Sequence, residues 1–541
     1  MNNRRTHITI RSITSAAALA LALIAGSVTV AASSTKGDAA TRPLIVNTSF
    51  PPATLDPAEV SGEGDFLIPS ATYLTLVRYG TKSGPDGTKQ VDYSKTVPYL
   101  AKSWTVSPDS GVYTFHLNPK FHFNDGSPIT AADVAFSFER SVTMKGGGSF
   151  SVTDGNYTPP LIKSITATSP YTVVFTLNVP DSGLLTNWAQ PTASVVEPSV
   201  VNAHGGVQAL TLNTWMAGHI AGGGGPYVLS SYNPGVQAIF KANPRYPLPV
   251  KSKEVIVSFV TSPSTLALDA RDGESDITLG IPNSAINGLK TVAGVKVPAY
   301  QAPESEFFGF NVKEAPSNNL DLRLALRYAT PLKEILSKVA FGYGTLYQGE
   351  ILPSMIGFNG DLSRPAPYDL AKAKAYMSQS HLTLPVSLTV DVASGDEAGA
   401  AIAPILQSYW AKVGVALTVQ TLSPALYQTA VAGAGHTDQS FIRLAGPLVP
   451  RVVYFWGYDA TCGSPYNRTQ VCIPKADALL KQASLLAPSK QQTYWNRITV
   501  LDNRTAPQIA FYEADYPIVL NSRVHNYVFF VDFGYMDTWG F

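Results

Sequence analysis

The stretch that decides the fold is residues 113–138, which read YTFHLNPKFHFNDGSPITAADVAFSF. Tyr113, Phe115 and Leu117 alternate with polar residues, and this period of two predicts a half-buried strand. An Asn-Asp-Gly run follows, and its glycine, Gly126, can adopt the positive φ that a tight turn requires. The first half of the stretch is therefore predicted to be a strand followed by a turn.

A helix is predicted to begin just after this turn. Thr130 and Asp133 form a Thr-x-x-Asp pair, the pattern of a capping box at a helix N-terminus. Val134, Phe136 and Phe138 then supply the apolar side of an amphipathic helix. None of these side chains is typical of a catalytic centre, so the stretch predicts architecture and not chemistry.

Residues 98–138 resemble the segment shared by extracytoplasmic solute-binding proteins of the peptide/nickel import family. Those proteins typically read LA-x-SW, then S-x-D-G-x-x-Y-T-F-x-L, then F-x-DG-x-P-x-T-A-x-DV-x-F-S. Other landmarks of the family occur in its order at residues 54–58, 73–79, 222–227, 273–277, 308–311, 320–329, 368–373 and 410–415. The resemblance covers nearly all of the chain beyond its N-terminal stretch.

The resemblance implies an α/β, bilobed periplasmic-binding-protein-like fold, in which two mixed lobes close on a ligand like a clamp. The first lobe would comprise residues 33–300, including an extra subdomain at about 80–205. The second lobe would comprise residues 301–507, and residues 508–541 would return to the first lobe. Strand-like and helix-like runs alternate in both halves of the chain, which independently predicts mixed α/β lobes.

An export signal is predicted at residues 1–32. Arginines in the first eleven residues precede an uncharged stretch, 12–35, and small residues ending at Ala32 form a cleavage site. The alternative is an uncleaved membrane anchor, because the uncharged stretch is long enough to span a bilayer. Many relatives are lipoproteins, but Ser27 stands where the lipid-bearing cysteine would be, and a serine cannot form the thioether. The predicted location is the periplasm or the outer face of the cell envelope.

Composition limits the possible functions. The 541 residues contain 39 Lys+Arg and 38 Asp+Glu, and this near-neutral balance argues against nucleic-acid binding. The length predicts about three domains. Charged residues make up only 14% of the chain, while Gly (42) and Pro (40) are abundant, which favours a compact, loop-rich mixed fold. We expect a monomer without a cofactor.

The chain contains two cysteines, Cys462 and Cys472. Their spacing does not match a zinc site. In an exported protein the simpler interpretation is a disulfide that closes a short loop, worth roughly 2–3 kcal/mol in the chain-entropy description.

Enzyme motifs are absent from the sequence. No Gly-x-Ser-x-Gly elbow, His-Glu-x-x-His helix or phosphate loop occurs, and the glycine run at 222–225 lacks the Lys-Ser/Thr of a phosphate loop. The histidines are scattered; His116 and His122 form the nearest pair, and ordinary surface histidines are the better interpretation than metal ligands. We therefore expect no catalytic or metal-binding residues. The alternatives are a hydrolase with dispersed Ser, His and Asp residues, and a structural protein of the cell envelope.

The ligand site is expected near residue 443. In peptide-binding relatives, a region reading R-x-G-W-x-x-D supplies an aspartate for the peptide's α-ammonium; here the series begins at Arg443, and Val449 falls at the aspartate's position. An unpaired buried ammonium costs several kcal/mol, so free dipeptides are expected to bind less well than neutral or anionic solutes. Arg443 could hold a carboxylate, sulfonate or phosphate, or form a surface salt bridge.

The remaining candidate ligand contacts are aromatic. Tyr454 and Trp456 belong to an aromatic cluster that could stack on a ligand, although part of the cluster is expected in the core. Phe307, which directly precedes the landmark at 308–311, is the last candidate ligand contact. By the resemblance, peptide is the leading ligand class, with oligosaccharides, opine-like compounds and metal chelates as alternatives. The implied partners are the membrane permease and ATPase subunits of an ABC importer.

Overall fold

The computed structural model describes residues 42–60, 62–153, 160–432, 435–446, 449–530 and 533–541. The predicted export signal at residues 1–32, with Ser27, lies outside them. Within the described ranges, no helix is long and apolar enough to cross a membrane.

The secondary structure alternates between strands and helices along the whole described chain. The strands are β1 (Leu44–Thr48), β2 (Val77–Ser83), β3 (Lys89–Pro98), β4 (Ala101–Val106), β5 (Val112–Leu117), β6 (Ile162–Ser169), β7 (Thr172–Leu177), β8 (Tyr227–Asn233), β9 (Gln237–Ala242), β10 (Glu254–Phe259), β11 (Ile277–Leu279), β12 (Val295–Lys296), β13 (Ala299–Phe310), β14 (Gly344–Thr345), β15 (Val386–Ala393), β16 (Val415–Leu422), β17 (Ser440–Ala445), β18 (Gln508–Pro517), β19 (Val519–Asn521), β20 (Val528–Phe530) and β21 (Phe533–Gly534). The α-helices are α1 (Leu67–Thr72), α2 (Ala131–Met144), α3 (Gly147–Thr153), α4 (Leu184–Trp188), α5 (Pro198–Ala203), α6 (Pro263–Asp272), α7 (Asn283–Leu289), α8 (Leu320–Ala329), α9 (Leu332–Lys338), α10 (Leu370–Gln379), α11 (Glu397–Trp410), α12 (Pro424–Ala430), α13 (Val452–Asp459), α14 (Pro474–Ser484) and α15 (Gln492–Thr505). Short 3-10 helices lie at Glu63–Phe66, Pro85–Gly87, Pro191–Ala193, Ala411–Val413, Pro488–Lys490 and Met536–Thr538.

The first lobe is built on a seven-stranded sheet with the order β12-β19-β11-β1-β10-β9-β8. Strand β1 lies between β10 and β11 and runs parallel to both. Two four-stranded sheets, β2-β3-β20-β21 and β4-β5-β7-β6, complete this lobe and share one large hydrophobic core with it. The sheet β4-β5-β7-β6 lies inside the predicted subdomain.

The second lobe is built on a six-stranded sheet with the order β14-β18-β13-β17-β15-β16. Helices α8, α10 and α11 supply residues to the hydrophobic cluster on one side of this sheet. Helices α13, α14 and α15 supply residues to a separate cluster. The two lobes therefore bury different cores, as the resemblance implied.

The crossovers between the lobes lie side by side in strands β13 and β18. These strands pair antiparallel from Ala299 opposite Pro517 to Gly309 opposite Gln508. Beyond Pro517 the chain enters the seven-stranded sheet as β19. Strand β18 belongs to the six-stranded sheet of the second lobe as far as Pro517, and the chain enters the sheet of the first lobe after that residue. The predicted boundary at residue 508 is the first residue of β18.

The strand and the helix cap predicted within residues 113–138 are both present. In β5 the side chains of Tyr113, Phe115 and Leu117 are fully buried. The backbone N–H of Thr130 donates to Asp133 Oδ2 at 2.7 Å, and this capping contact starts α2. Alternation and capping act over a few residues, which is why the sequence predicted both.

A buried ion pair joins α2 to the landmark at residues 54–58. Arg140 Nη1 donates to Asp56 Oδ1 at 2.8 Å, and both side chains are at most 2% exposed. Helix α3 packs against the same loop so closely that a Cβ on Gly148 would lie 2.1 Å from the carbonyl oxygen of Pro57. The ion pair and the close packing at Gly148 thus hold residues 56–58 against α2 and α3.

Candidate functional site

A pocket in the second lobe brings together two of the predicted contacts. Phe307 on β13 lies directly opposite Arg443 on β17, and both side chains line the same cavity. Successive residues of a strand point to opposite sides of the sheet. Ile442 packs into the core of the second lobe, so Arg443 projects away from that core and into the cavity.

A glycine of the 308–311 landmark makes room for the aromatic wall of this cavity. A Cβ on Gly309 would lie 2.3 Å from the ring of Phe441, so the ring can occupy its position only over a glycine. Phe441 in turn meets Phe307 edge to face, with ring centroids 6.0 Å apart. The two rings form an apolar surface beside the guanidinium of Arg443.

An acidic group faces this arginine. Asp459, the last residue of α13, lines the cavity with Arg443 and Arg468. Burial raises the pKa of Asp459 to about 6, and the two guanidinium groups partly offset that rise. Arg468 Nη1 lies 3.8 Å from Asp459 Oδ1. The carboxyl group therefore lies close to two positive charges, in a side chain that is 22% exposed.

Two further carboxyl groups line the same cavity. The N–H of Glu350 donates to Asp502 Oδ2 at 3.0 Å, while Asp502 Oδ1 has no hydrogen-bond partner. Burial raises the pKa of Asp502 to about 6, with Arg327 opposing the rise. Burial also raises the pKa of Glu350 well above its usual range, and the nearby Asp502 and Asp459 add to this effect. The cavity can thus interact with both a cationic and an anionic group.

The predicted disulfide is confirmed and supplies one wall of the cavity. Cys462 and Cys472 are joined, with their Cα atoms 4.5 Å apart. The loop between the two cysteines contains three residues that line the cavity: Arg468, Thr469 and Val471.

The helix that carries Asp459 also reaches the first lobe. Tyr454 of α13 packs edge to face against Phe150 of α3, with ring centroids 5.7 Å apart. Phe150 also contacts Tyr466 of the disulfide loop at 5.6 Å. The cavity is therefore next to the junction of the two lobes.

The other predicted contacts occupy different positions. Trp456 is buried in the cluster that also contains Trp495 of α15, and its indole N–H has no hydrogen-bond partner. Val449 is fully buried, and neither it nor Trp456 is among the residues that line the cavity. The structure thus brings Phe307 and Arg443 together and places Tyr454 at the junction, whereas Val449 and Trp456 do not line the cavity.

Sequence reasoning missed Asp459 and Arg468. Asp459 follows the aromatic cluster directly and is the single charged residue of α13. A lone acid at the end of an apolar helix was a signal that could have been used. Arg468 carried a weaker signal, its position inside the cysteine loop.

The glycine run is a structural turn, as expected. The N–H groups of Gly224 and Gly225 both donate to the carbonyl oxygen of Thr72, at 3.0 and 2.9 Å. In the part of the chain that the structure describes, no group of three or more His, Cys, Asp or Glu side chains could hold a metal ion.

Comparisons with known proteins agree with this architecture. The sequence model described as "Bacterial extracellular solute-binding proteins, family 5 Middle" matches residues 95–465. The probable D,D-dipeptide-binding periplasmic protein DdpA of Escherichia coli (strain K12) is 28% identical over 492 residues, covering 90% of this chain and 91% of that protein.

Solved structures share the fold. The periplasmic binding protein DppA of Helicobacter pylori, in complex with the peptide STSA, has a TM-score of 0.77 at 22% identity and covers 92% of this chain and 98% of that one. The binding protein AgaA of A. tumefaciens R10, in complex with agropinic acid, has a TM-score of 0.75 at 20% identity and covers 92% of this chain and 98% of that one.

Proposed function

The chain belongs to family 5 of the bacterial extracellular solute-binding proteins, and on this premise we propose that it captures a peptide or peptide-like solute between its lobes. It delivers this solute to the permease and ATPase subunits of an ABC importer. The family consists of binding proteins and not enzymes, so the bound solute leaves unchanged. The observation that carries the ligand proposal is the cavity in which Asp459 faces Arg443 beside the ring of Phe307.

The acidic residues of the cavity indicate which part of the ligand enters it. Asp459, Glu350 and Asp502 can accept hydrogen bonds from an ammonium group, so the cavity suits the amino end of a peptide.

Arg443 suits the negatively charged carboxylate end of a peptide. It is half-buried, and a guanidinium binds a carboxylate through two parallel hydrogen bonds. A short peptide with free ends would thus have a partner for each charge, while Phe307 and Phe441 contact its side chains.

This proposal replaces the hypothesis based on Val449. That hypothesis predicted an apolar amine position and weak binding of free dipeptides. We favour Asp459 because it lines the cavity and Val449 does not. The two hypotheses predict opposite responses to blocking the amino group of a peptide, so one ligand series distinguishes them.

We also propose that the chain works as a monomer outside the cytoplasmic membrane, without lipid at Ser27, after removal of residues 1–32. Membership in an extracellular family supports this location. Intact-mass measurement of the native protein tests it: a mass matching a chain that begins near residue 33 is expected. A mass that retains Met1, or an added lipid, would contradict it.

The ligand experiment is a thermal-shift and calorimetry series on the mature protein. The probes are the dipeptide Ala-Ala, its N-acetylated form and its C-terminal amide, with an oligosaccharide, an opine and chelated nickel for comparison. At a hundredfold excess over Kd, a true ligand should stabilise the fold by about 2.7 kcal/mol. We expect Ala-Ala to bind, and blocking either end to weaken it.

Two variants assign the contacts. Asp459→Asn should abolish the preference for a free amino end, and Arg443→Ala should abolish the preference for a free carboxyl end. Asp361→Asn, at an exposed ion pair in the second lobe, is the matched control and should change neither preference. Tighter binding of the acetylated probe would support the Val449 hypothesis instead. Release of a product would indicate a hydrolase, and no shift with any probe would indicate a structural protein.

A further inference from the structure

We propose that Arg451 and Asp181 form a latch between the lobes, which stabilises the closed arrangement without touching the ligand. The inference rests on the proposed clamp function. Arg451 immediately precedes α13 of the second lobe, and Asp181 follows β7 of the first lobe. The two residues are 270 positions apart in the chain, and their contact exists only where the lobes meet.

The contact is a two-pronged ion pair. Arg451 Nη2 donates to Asp181 Oδ1 at 2.5 Å, and Nη1 donates to Asp181 Oδ2 at 3.1 Å. Nη1 also donates to Asn187 Oδ1 at 2.8 Å. The side chain of Asp181 is 1% exposed and that of Arg451 is 12% exposed, so little water screens the pair.

Gly183 of the first lobe leaves space for the guanidinium of Arg451. The N–H of Gly183 donates to Asp181 Oδ1 at 2.9 Å, which orients the carboxylate from within its own lobe. A Cβ on Gly183 would lie 2.5 Å from Arg451 Nη2, so the guanidinium occupies the space that a side chain would fill. Any larger residue at position 183 would displace Arg451.

A second hydrogen bond lies beside the ion pair. Ser182 Oγ donates to the carbonyl oxygen of Leu486 in the second lobe at 2.8 Å. A cavity of about 90 Å³ adjoins Arg451 and Gly183, and it shares no lining residue with the cavity that contains Arg443 and Asp459. The latch is therefore separate from the proposed ligand contacts.

The latch has a direct consequence for affinity. A ligand binds more tightly when its binding-competent arrangement is already populated, because less free energy is needed to reach it. Separation of the lobes leaves Asp181 and Arg451 to be solvated by water. When the lobes close, the pair replaces that water with short charged hydrogen bonds. Loss of the latch should shift the free protein toward the open arrangement and speed ligand release.

The first test uses the free protein and needs no ligand. Both cysteines of the sequence form the disulfide, so spin labels attach only to introduced cysteines. Thr166→Cys in β6 and Ala375→Cys in α10, both exposed positions, report the distance between the lobes. Asp181→Asn, Arg451→Met and Gly183→Ala should each lengthen or broaden the distance distribution, whereas Asp361→Asn should not.

Gly183→Ala is the decisive variant because it keeps both charges and only fills the space of the guanidinium. Unchanged distances in Gly183→Ala and Asp181→Asn, with circular dichroism showing folded protein, would overturn the proposal. The second test is stopped-flow release of Ala-Ala, which should become roughly tenfold faster or more in the latch variants. If Ala-Ala does not bind, the peptide proposal fails, and the spin-label distances in the free protein alone test whether the latch exists. If Ala-Ala binds and the distances are unchanged, the latch fails alone.

Discussion

Removal of the disulfide should lower stability by an amount that follows from the length of the loop it closes. Cys462 and Cys472 are ten positions apart in the sequence. In the chain-entropy description, closing a loop of this length lowers the entropy of the unfolded chain by about 9 cal/mol/K, equivalent to about 2.7 kcal/mol at 25 °C. The variant Cys462→Ser/Cys472→Ser should therefore lose about 2.7 kcal/mol of unfolding free energy.

The same substitution should also weaken ligand binding. The loop carries Arg468 and Thr469 of the candidate cavity. Hydrogen bonds from Asn467 to the carbonyl oxygens of Thr461 and Val471 remain in the variant and keep part of the loop in place. We expect a reduced affinity for the ligand and not its complete loss.

The assay is urea unfolding followed in parallel by tryptophan fluorescence and circular dichroism, because coincident curves establish that one transition is measured. The control is wild-type protein with its disulfide reduced, which should match the serine variant. A serine variant within about 0.5 kcal/mol of the oxidised wild type would refute the reasoning, since such a difference is typical of a neutral surface substitution.

Three further outcomes are expected. Arg443→Ala should weaken the binding of Ala-Ala by about 2–5 kcal/mol in calorimetry, because it removes the partner of the carboxylate; equal affinity would contradict that role. Burial raises the pKa of Glu513 from 4.5 to about 8, so wild-type unfolding free energy should fall as pH rises between these values. Glu513→Gln should flatten this part of the stability profile, and an equally steep profile would exclude Glu513 as its source. Arg140→Met should cost about 3–5 kcal/mol by leaving Asp56 buried and unpaired, whereas Arg364→Met at an exposed pair should cost almost nothing. Equal losses in these two variants would contradict the argument from burial.

Local features were predictable because they depend on interactions between neighbouring residues. The alternation of β5, the turn at Gly126 and the cap of α2 each involve residues close together in the chain. The disulfide was predictable as well, since the chain has two cysteines and the signal implied export. The order of family landmarks implied the bilobed fold.

The candidate site was only partly predictable. Arg443 and Phe307 were identified from the sequence, and cross-strand pairing places them opposite each other. Asp459 was missed because counting residues from Arg443 cannot show how the chain folds between β17 and α13. Val449 illustrates the same limit, since its complete burial depends on the packing around it.

The sequence by itself determined local elements such as β5 and α2, through periodicity and capping, and it predicted the cysteine pair. The bilobed fold was implied by the resemblance of its ordered landmarks to a known family. Only the tertiary structure decided which charges meet. Arg451 forms an ion pair with Asp181, which lies 270 positions away in the chain. Strand β18 pairs with β13 of the second lobe as far as Pro517. The strength of an ion pair depends on the distance between its charges and on their burial. Both quantities are set by how whole strands and helices pack. No short stretch of sequence contains that information.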